Sequence, residues 1–162
     1  PNPQSWCEKN WIPIRRKGGA EDLFIYKWSP MEFGKFVDSD DGAKHLVIVD
    51  RYDTSHLPWF DRFRGSTTFT ETSEGLIGLV HFSEEGSPRH YYHSLLLLDR
   101  NTLRPIRYSM PFYFQKVGVE FCIGMAVQGE QEDTFVFWIS RMDRDPLMVT
   151  VKKSDIPMTM EG

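Results

Sequence analysis

A few residues stand where apolar strand residues would be expected, and their types could do chemistry. Glu120 comes directly before Phe121-Cys122-Ile123-Gly124, and Asp143 closes Ser140-Arg141-Met142-Asp143. Two carboxylates flanking a glycosidic bond can do general acid and base work. The plain alternative for Asp143 is a solvated loop. Arg64 opens the run Arg64-Gly65-Ser66-Thr67. Its guanidinium is a planar fork that suits carboxylate or phosphate, and the adjacent Gly65 lets another group approach the backbone. The plain alternative is an exposed arginine ahead of a strand. His81 follows the apolar run Leu76 to Val80, where a histidine is either a functional group or a satisfied structural one. Tyr91 and His93 share one face of a strand, and Tyr92 and Ser94 the other. His90 and His93 fall on opposite faces, the wrong geometry for a shared zinc, so neither a metal nor a cofactor is expected. The sequence has no nucleophile-elbow, phosphate-loop or dinucleotide motif.

These residues have to be positioned by strands. Three turn-bounded, β-rich units start near Glu8, Arg64 and Glu120, a repeat of about 55 residues. The clearest is the second, with expected strands at Arg64–Thr70, Leu76–Phe82, His90–Asp99 and Pro105–Ser109. Its breaks, such as Ser73-Glu74-Gly75 and Glu84-Glu85-Gly86-Ser87-Pro88, are turn chemistry. Leu95 to Leu98 is apolar on both faces, as in a strand buried between two layers. The first unit has strands at Asp22–Trp28, Phe33–Val37 and His45–Arg51, followed by a long connection from Tyr52 to Phe63. The third has strands at Phe121–Val127, Phe135–Ser140 and Leu147–Val151, and no fourth. No window shows helical apolar periodicity. Strand spacing alone would also suit a sandwich; the repeat favours a β-propeller. The expected fold is therefore all-β, with four-stranded antiparallel blades near residues 8–51, 64–109 and 120–152. Residues 1–162 form one propeller-type domain or the C-terminal part of one. An open arc of blades has exposed edges, which favours association with further material.

Composition removes some function classes. The 162 residues carry a net charge of −4 and a pI near 5.7, with no basic stripe for nucleic acid. Arg15-Arg16-Lys17 is flanked by glycines and acids and reads as a solvated turn. No segment approaches the roughly 20 apolar residues of a membrane helix. Cys7 and Cys122 are too few for a disulfide scaffold, and one bridge between them cannot be read from spacing. Without a glycosylation sequon, they lean toward an intracellular setting. Pro1-Asn2-Pro3-Gln4 reads as a loop and not a secretion signal, and the missing initiator Met suggests a processed product or a piece of something longer.

In order along the chain, Arg64-Gly-Ser-Thr-Thr-Phe69, Gly75-Leu-Ile-Gly-Leu-Val-His81, Tyr91 to Asp99, Glu120-Phe-Cys-Ile-Gly124 and Ser140-Arg-Met-Asp143 resemble the later blades of the family 130 glycoside hydrolases and phosphorylases. Glu8-Lys9-Asn10-Trp11 resembles the segment around that family's Lys-Asp pair. The resemblance implies a five-bladed β-propeller acting mainly on β-mannosides, with sugar and, in phosphorylases, inorganic phosphate bound at the centre of the ring. It places Lys9, Asn10, Arg64, His81, Tyr91, Glu120 and Asp143 around that ligand. The chain departs from the family at Val80, where a Tyr is expected, at Phe82, where a Gly is expected, and at Asn10, where phosphorylases carry Asp. Nothing here corresponds to the family's catalytic Asp, which lies in an earlier blade. Three functions follow: part of a mannoside-active enzyme, a non-catalytic glycan-binding propeller, or an assembly module pairing through open blade edges. The partners implied are a glycan, with phosphate in the phosphorolytic case, and the remaining blades from the same protein or another chain.

Overall fold

Leu76–Glu84 and His90–Leu98 carry apolar side chains at both parities, so neither face of such strands can lie in water. The computed structural model, which describes residues 9–14 and 23–162, resolves this by stacking a sheet on each side of them. The first sheet is an antiparallel meander of β1 (Ile12–Ile14), β2 (Leu23–Trp28), β3 (Met31–Asp38) and β4 (Lys44–Tyr52). The middle sheet holds β5 (Arg64–Gly65), β6 (Thr70–Glu71), β7 (Leu76–Glu84), β8 (His90–Leu98) and β9 (Pro105–Tyr108). The third holds β10 (Glu120–Gln128), β11 (Thr134–Arg141) and β12 (Asp145–Lys152). A short strand, β13 (Met160–Glu161), pairs with β9. The described residues contain no α-helix, only a 3-10 turn at Lys153–Asp155. The start of the first repeat unit near Glu8, the basic turn at residues 15–17 and Cys7 lie outside the described residues.

Side-chain parity sorts the core in two. Leu76, Val80, Phe82, Leu96 and Leu98 face the first sheet and meet Ile25, Met31 and Phe33. Ile77, Leu79, Leu95 and Leu97 face the third and meet Phe135, Phe137 and Ile139. Phe60 and Phe63, from the connection after β4, are fully buried in the first of these cores. Cys122 is buried in the second, and burial pushes its thiol pKa up to about 12. Burying each of these large side chains contributes about 1.5–3 kcal/mol before conformational entropy is subtracted.

Two details differ from the sequence expectation. The first strand of the middle sheet is split. Between β5 and β6 the Ser66 and Thr67 amides both donate to the Leu79 carbonyl at 3.2 Å, and the Thr67 hydroxyl accepts from the Leu79 amide at 2.9 Å. A side-chain oxygen replaces a ladder carbonyl, so the strand bulges where the sequence still reads as continuous. The second difference is at the C-terminal end, where an additional strand that the sequence did not suggest, β13, goes back to pair with β9 of the middle sheet.

The inner strands of the first two sheets come close together. Ile14 bridges Phe69 in parallel, and a Cβ on Gly65 would overlap the Ile12 side chain and lie 2.7 Å from the Asn10 carbonyl oxygen. Backbone cannot yield as a flexible side chain can. Gly65→Ala is expected to cost about 2 kcal/mol, the usual range for overpacking. Urea unfolding measures this, and an unchanged midpoint would show that the two strands are not held at this spacing.

Candidate functional site

β5 and β7 set Arg64 directly opposite His81, and β7 and β8 set His81 opposite His93. Residues facing each other across an antiparallel pair point to the same side, so all three lie on the face toward the third sheet. Tyr91 shares that face. Its ring stacks on His81 at 5.8 Å, and Phe121 of β10 closes edge-on against His81 at 5.0 Å. The Ser66 hydroxyl and His81 Nδ1 share a hydrogen bond of 2.8 Å. His81 is only 5% exposed. Burial first, then the charges of Arg64 and Lys9, push its pKa down to about 4. The imidazole is therefore neutral at neutral pH beside two cations.

Among the described residues no carboxylate pairs with Lys9 or Arg64, and both are exposed. Arg64 Nη1 donates to the Phe63 carbonyl at 2.8 Å, which fixes one arm of the fork. Asn10, next to Lys9, adopts φ 62°, a left-handed conformation that Asn tolerates better than most residues. Its carbonyl is the one packed against Gly65. The structure thus brings Lys9, Asn10, Arg64, His81 and Tyr91 together around the start of the middle sheet.

The two carboxylates are placed differently. Glu120 is 1% exposed and is turned toward the loop before it. Its oxygens accept from the amides of Phe114 at 2.8 Å, Gln115 at 3.1 Å and Lys116 at 3.2 Å. This is a loop clasp made of charge-assisted hydrogen bonds. Asp143 is exposed in the turn between β11 and β12, where Met142 and Asp143 take φ 53° and 55°. Arg141 pairs with Glu120 in register and the Met142 amide donates to Val119, so this turn lies beside the start of β10. One carboxylate is saturated in the interior and the other is in solvent, and they share no partner.

The loop held by Glu120 closes the site from behind. The Tyr91 amide donates to Gly118, and His93 and Phe112 exchange backbone hydrogen bonds at 2.7 and 2.8 Å. Phe114 packs on His93 at 4.9 Å. His93 is fully buried; burial, then the neighbouring His81, pushes its pKa down to about 3, and a long contact with the Glu120 backbone, short of full hydrogen-bond geometry, offsets only a little of that shift. A recess of about 310 Å³ opens beside this loop, lined by Pro88, Lys116, Gly118, Arg141 and Met142. Sequence reasoning did not single out Phe121 or Ser66. Phe121 immediately follows Glu120 and Ser66 follows Arg64-Gly65, so both lay within motifs already chosen for their neighbours.

These features define an all-β class of fold, built of antiparallel sheets stacked face to face. A solved structure shares it: β-1,2-mannobiose phosphorylase from Listeria innocua, in complex with β-1,2-mannobiose, superposes with a TM-score of 0.59 over 91% of this chain at 17% identity. The match covers 45% of the phosphorylase chain, so this chain spans about half the length of that protein. The sequence matches no protein-family model and no curated protein.

Proposed function

We propose that this chain is the ligand-binding part of a carbohydrate-active, five-bladed β-propeller that acts on mannoside-type glycosidic bonds by hydrolysis, phosphorolysis or transfer. The observation that carries this reading is the cluster of Lys9, Arg64 and a buried neutral His81, in which neither cation is paired to a carboxylate among the described residues. A sugar presents hydroxyls to the His81 ring and the Arg64 fork, and C–H faces to Tyr91 and Phe121. A phosphate presents oxygens to the guanidinium and the ammonium. The phosphorylase-like fold supports a sugar ligand. Asn10, Glu120 and Asp143 complete the proposed surround, Glu120 through the loop it holds.

The three sheets are read as three of five blades. Phe36 and Ile48 on the first sheet are 45% and 38% exposed, and Trp138 and Met148 on the third are 41% and 67% exposed. The remaining blades would cover these outer faces, supplied by the same protein or another chain. They would also bring the general acid, since Glu120 is saturated by backbone amides and Asp143 stands in solvent. That placement of both carboxylates also favours a second reading, a propeller that binds a glycan without cleaving it.

Calorimetric titration of the full chain with inorganic phosphate and with β-1,2-mannobiose tests the site. Arg64→Ala is expected to weaken phosphate binding about tenfold or more, the scale of one charge-assisted contact. His81→Ala is expected to weaken the sugar. Turnover by a longer form carrying the other blades selects the enzyme reading, and binding without turnover selects the second. If neither ligand binds, both sugar readings fall and an assembly role takes their place.

A further inference from the structure

In two of the three sheets the third strand of the meander is covered by a fourth, β3 by β4 and β8 by β9. The third sheet ends at β12. Among the described residues nothing pairs with its outer edge, and the chain beyond it turns away through Lys153–Asp155 to place β13 on β9. Exposed edges are ordinarily blunted by charges, proline or bulges. Here Pro146 and Lys152 guard only the ends. The stretch between them, Leu147-Met148-Val149-Thr150-Val151, is uncharged and rich in β-branched residues. Leu147, Val149 and Val151 point inward and are only half-buried against the second core. Val149 and Val151 also border an apolar cavity of about 330 Å³, together with Met110, Phe112 and Ile156. A bare edge beside an apolar hollow is a receptor for an added strand: backbone groups bind the backbone and the hollow takes alternate side chains.

We infer that the occupant is β12 of a second copy, paired antiparallel about a two-fold axis at Val149. In that register the strand complements itself. Leu147 meets Val151, both inward, and Met148 meets Thr150, both outward. At each end Asp145 of one copy comes level with Lys153, the first residue of the turn after β12, of the other. A one-residue slip would set Leu147 against Thr150 and turn the apolar row of one copy to the wrong face. A two-residue slip breaks these pairs, setting Arg144 against Lys152 in one direction and carrying Asp145 past Lys153 in the other. The two-fold contact closes on itself and joins two three-stranded sheets into one of six.

Sedimentation of the full chain over a range of concentrations should show a monomer–dimer equilibrium. Asp145→Lys sets Lys against Lys and Lys153→Asp sets Asp against Asp, and each is expected to weaken association roughly tenfold through its two symmetric contacts. The combined swap should restore it. Asp145 also pairs with Arg141, and Lys153 with Glu74, within one copy, so a thermal melt of each variant separates loss of fold from loss of contact. Facing residues at a two-fold axis have Cβ atoms about 4.5–5.5 Å apart, so Val149→Cys should give a covalent dimer under mild oxidation. A chain that stays monomeric overturns the proposal. So does a dimer that ignores the charge swap and gives no cross-link at position 149. A dimer abolished by Trp138→Lys on the outer face, with the swap variants still associating normally, overturns it as well.

Discussion

Lowering the pH from 7 to 4 is expected to remove roughly 6 kcal/mol of folding stability, about 3 kcal/mol from each of His81 and His93. Both imidazoles are held well below the ordinary value of 6.5, His81 to about 4 and His93 to about 3. Because the folded values are depressed, the unfolded chain takes up protons first as the solution is acidified. The stability is therefore fully present above about pH 6.5 and drains away as the pH falls toward the folded values. A loss of this size rivals the whole stability of an ordinary domain, about 5–15 kcal/mol. Urea midpoints measured at intervals between pH 7 and pH 4 test it, and a flat series would show that the two rings are not buried as neutral groups. His93 offers a sharper test, since its ring is packed among Phe112 and Phe114 and its nitrogens make no well-formed hydrogen bond, only a long contact with the Glu120 backbone. His93→Leu should raise stability by about 1 kcal/mol at pH 7, by removing poorly paired buried polar atoms, and abolish about half of the acid sensitivity. Destabilisation at pH 7 together with an unchanged acid response would reject this account.

Glu120→Ala is expected to lower stability by about 4 kcal/mol, because three backbone amides lose one charged acceptor at once. Glu120→Gln keeps one oxygen and should lose about half as much. Phe114, one of the clasped residues, packs on both His93 and Phe137. Loosening the loop should therefore disturb the His81 face, and phosphate affinity should drop in Glu120→Ala even though the carboxylate is turned away from the ligand. Chemical unfolding and the phosphate titration together decide this. Wild-type stability with lost affinity would make Glu120 a direct ligand group, contrary to its placement.

Strand positions were largely legible in the sequence because apolar parity and turn residues are local signals. The expected Leu76–Phe82 and His90–Asp99 became β7 and β8 within two residues at each end, and the third unit's three expected strands became β10, β11 and β12. The split between β5 and β6 was not legible, since it depends on the Thr67 hydroxyl meeting the Leu79 amide across strands. The candidate site divided along the same line. Arg64, His81 and Tyr91 stood out as polar or aromatic groups at strand ends, and the structure gathers them. Glu120 stood out for its charge, but whether a carboxylate faces a ligand or a run of amides depends on a loop whose path no local pattern reveals. Tyr91 and His93 were placed on one face by strand period alone. That His81 lies on that face too needed the β7–β8 register.

The short strand β13 also bears on the order in which the molecule is assembled. It caps β9, yet the whole third sheet lies between the two in sequence. The middle sheet cannot be finished until the third has been made and the chain has returned across it, a closure that costs loop entropy before any contact is gained. During synthesis β9 must wait with a bare edge while its neighbour forms. The two sheets are thus tied kinetically as well as by their shared core. A cut anywhere between Tyr108 and Met160 would separate β9 from its capping strand and leave a nascent surface open to mispairing.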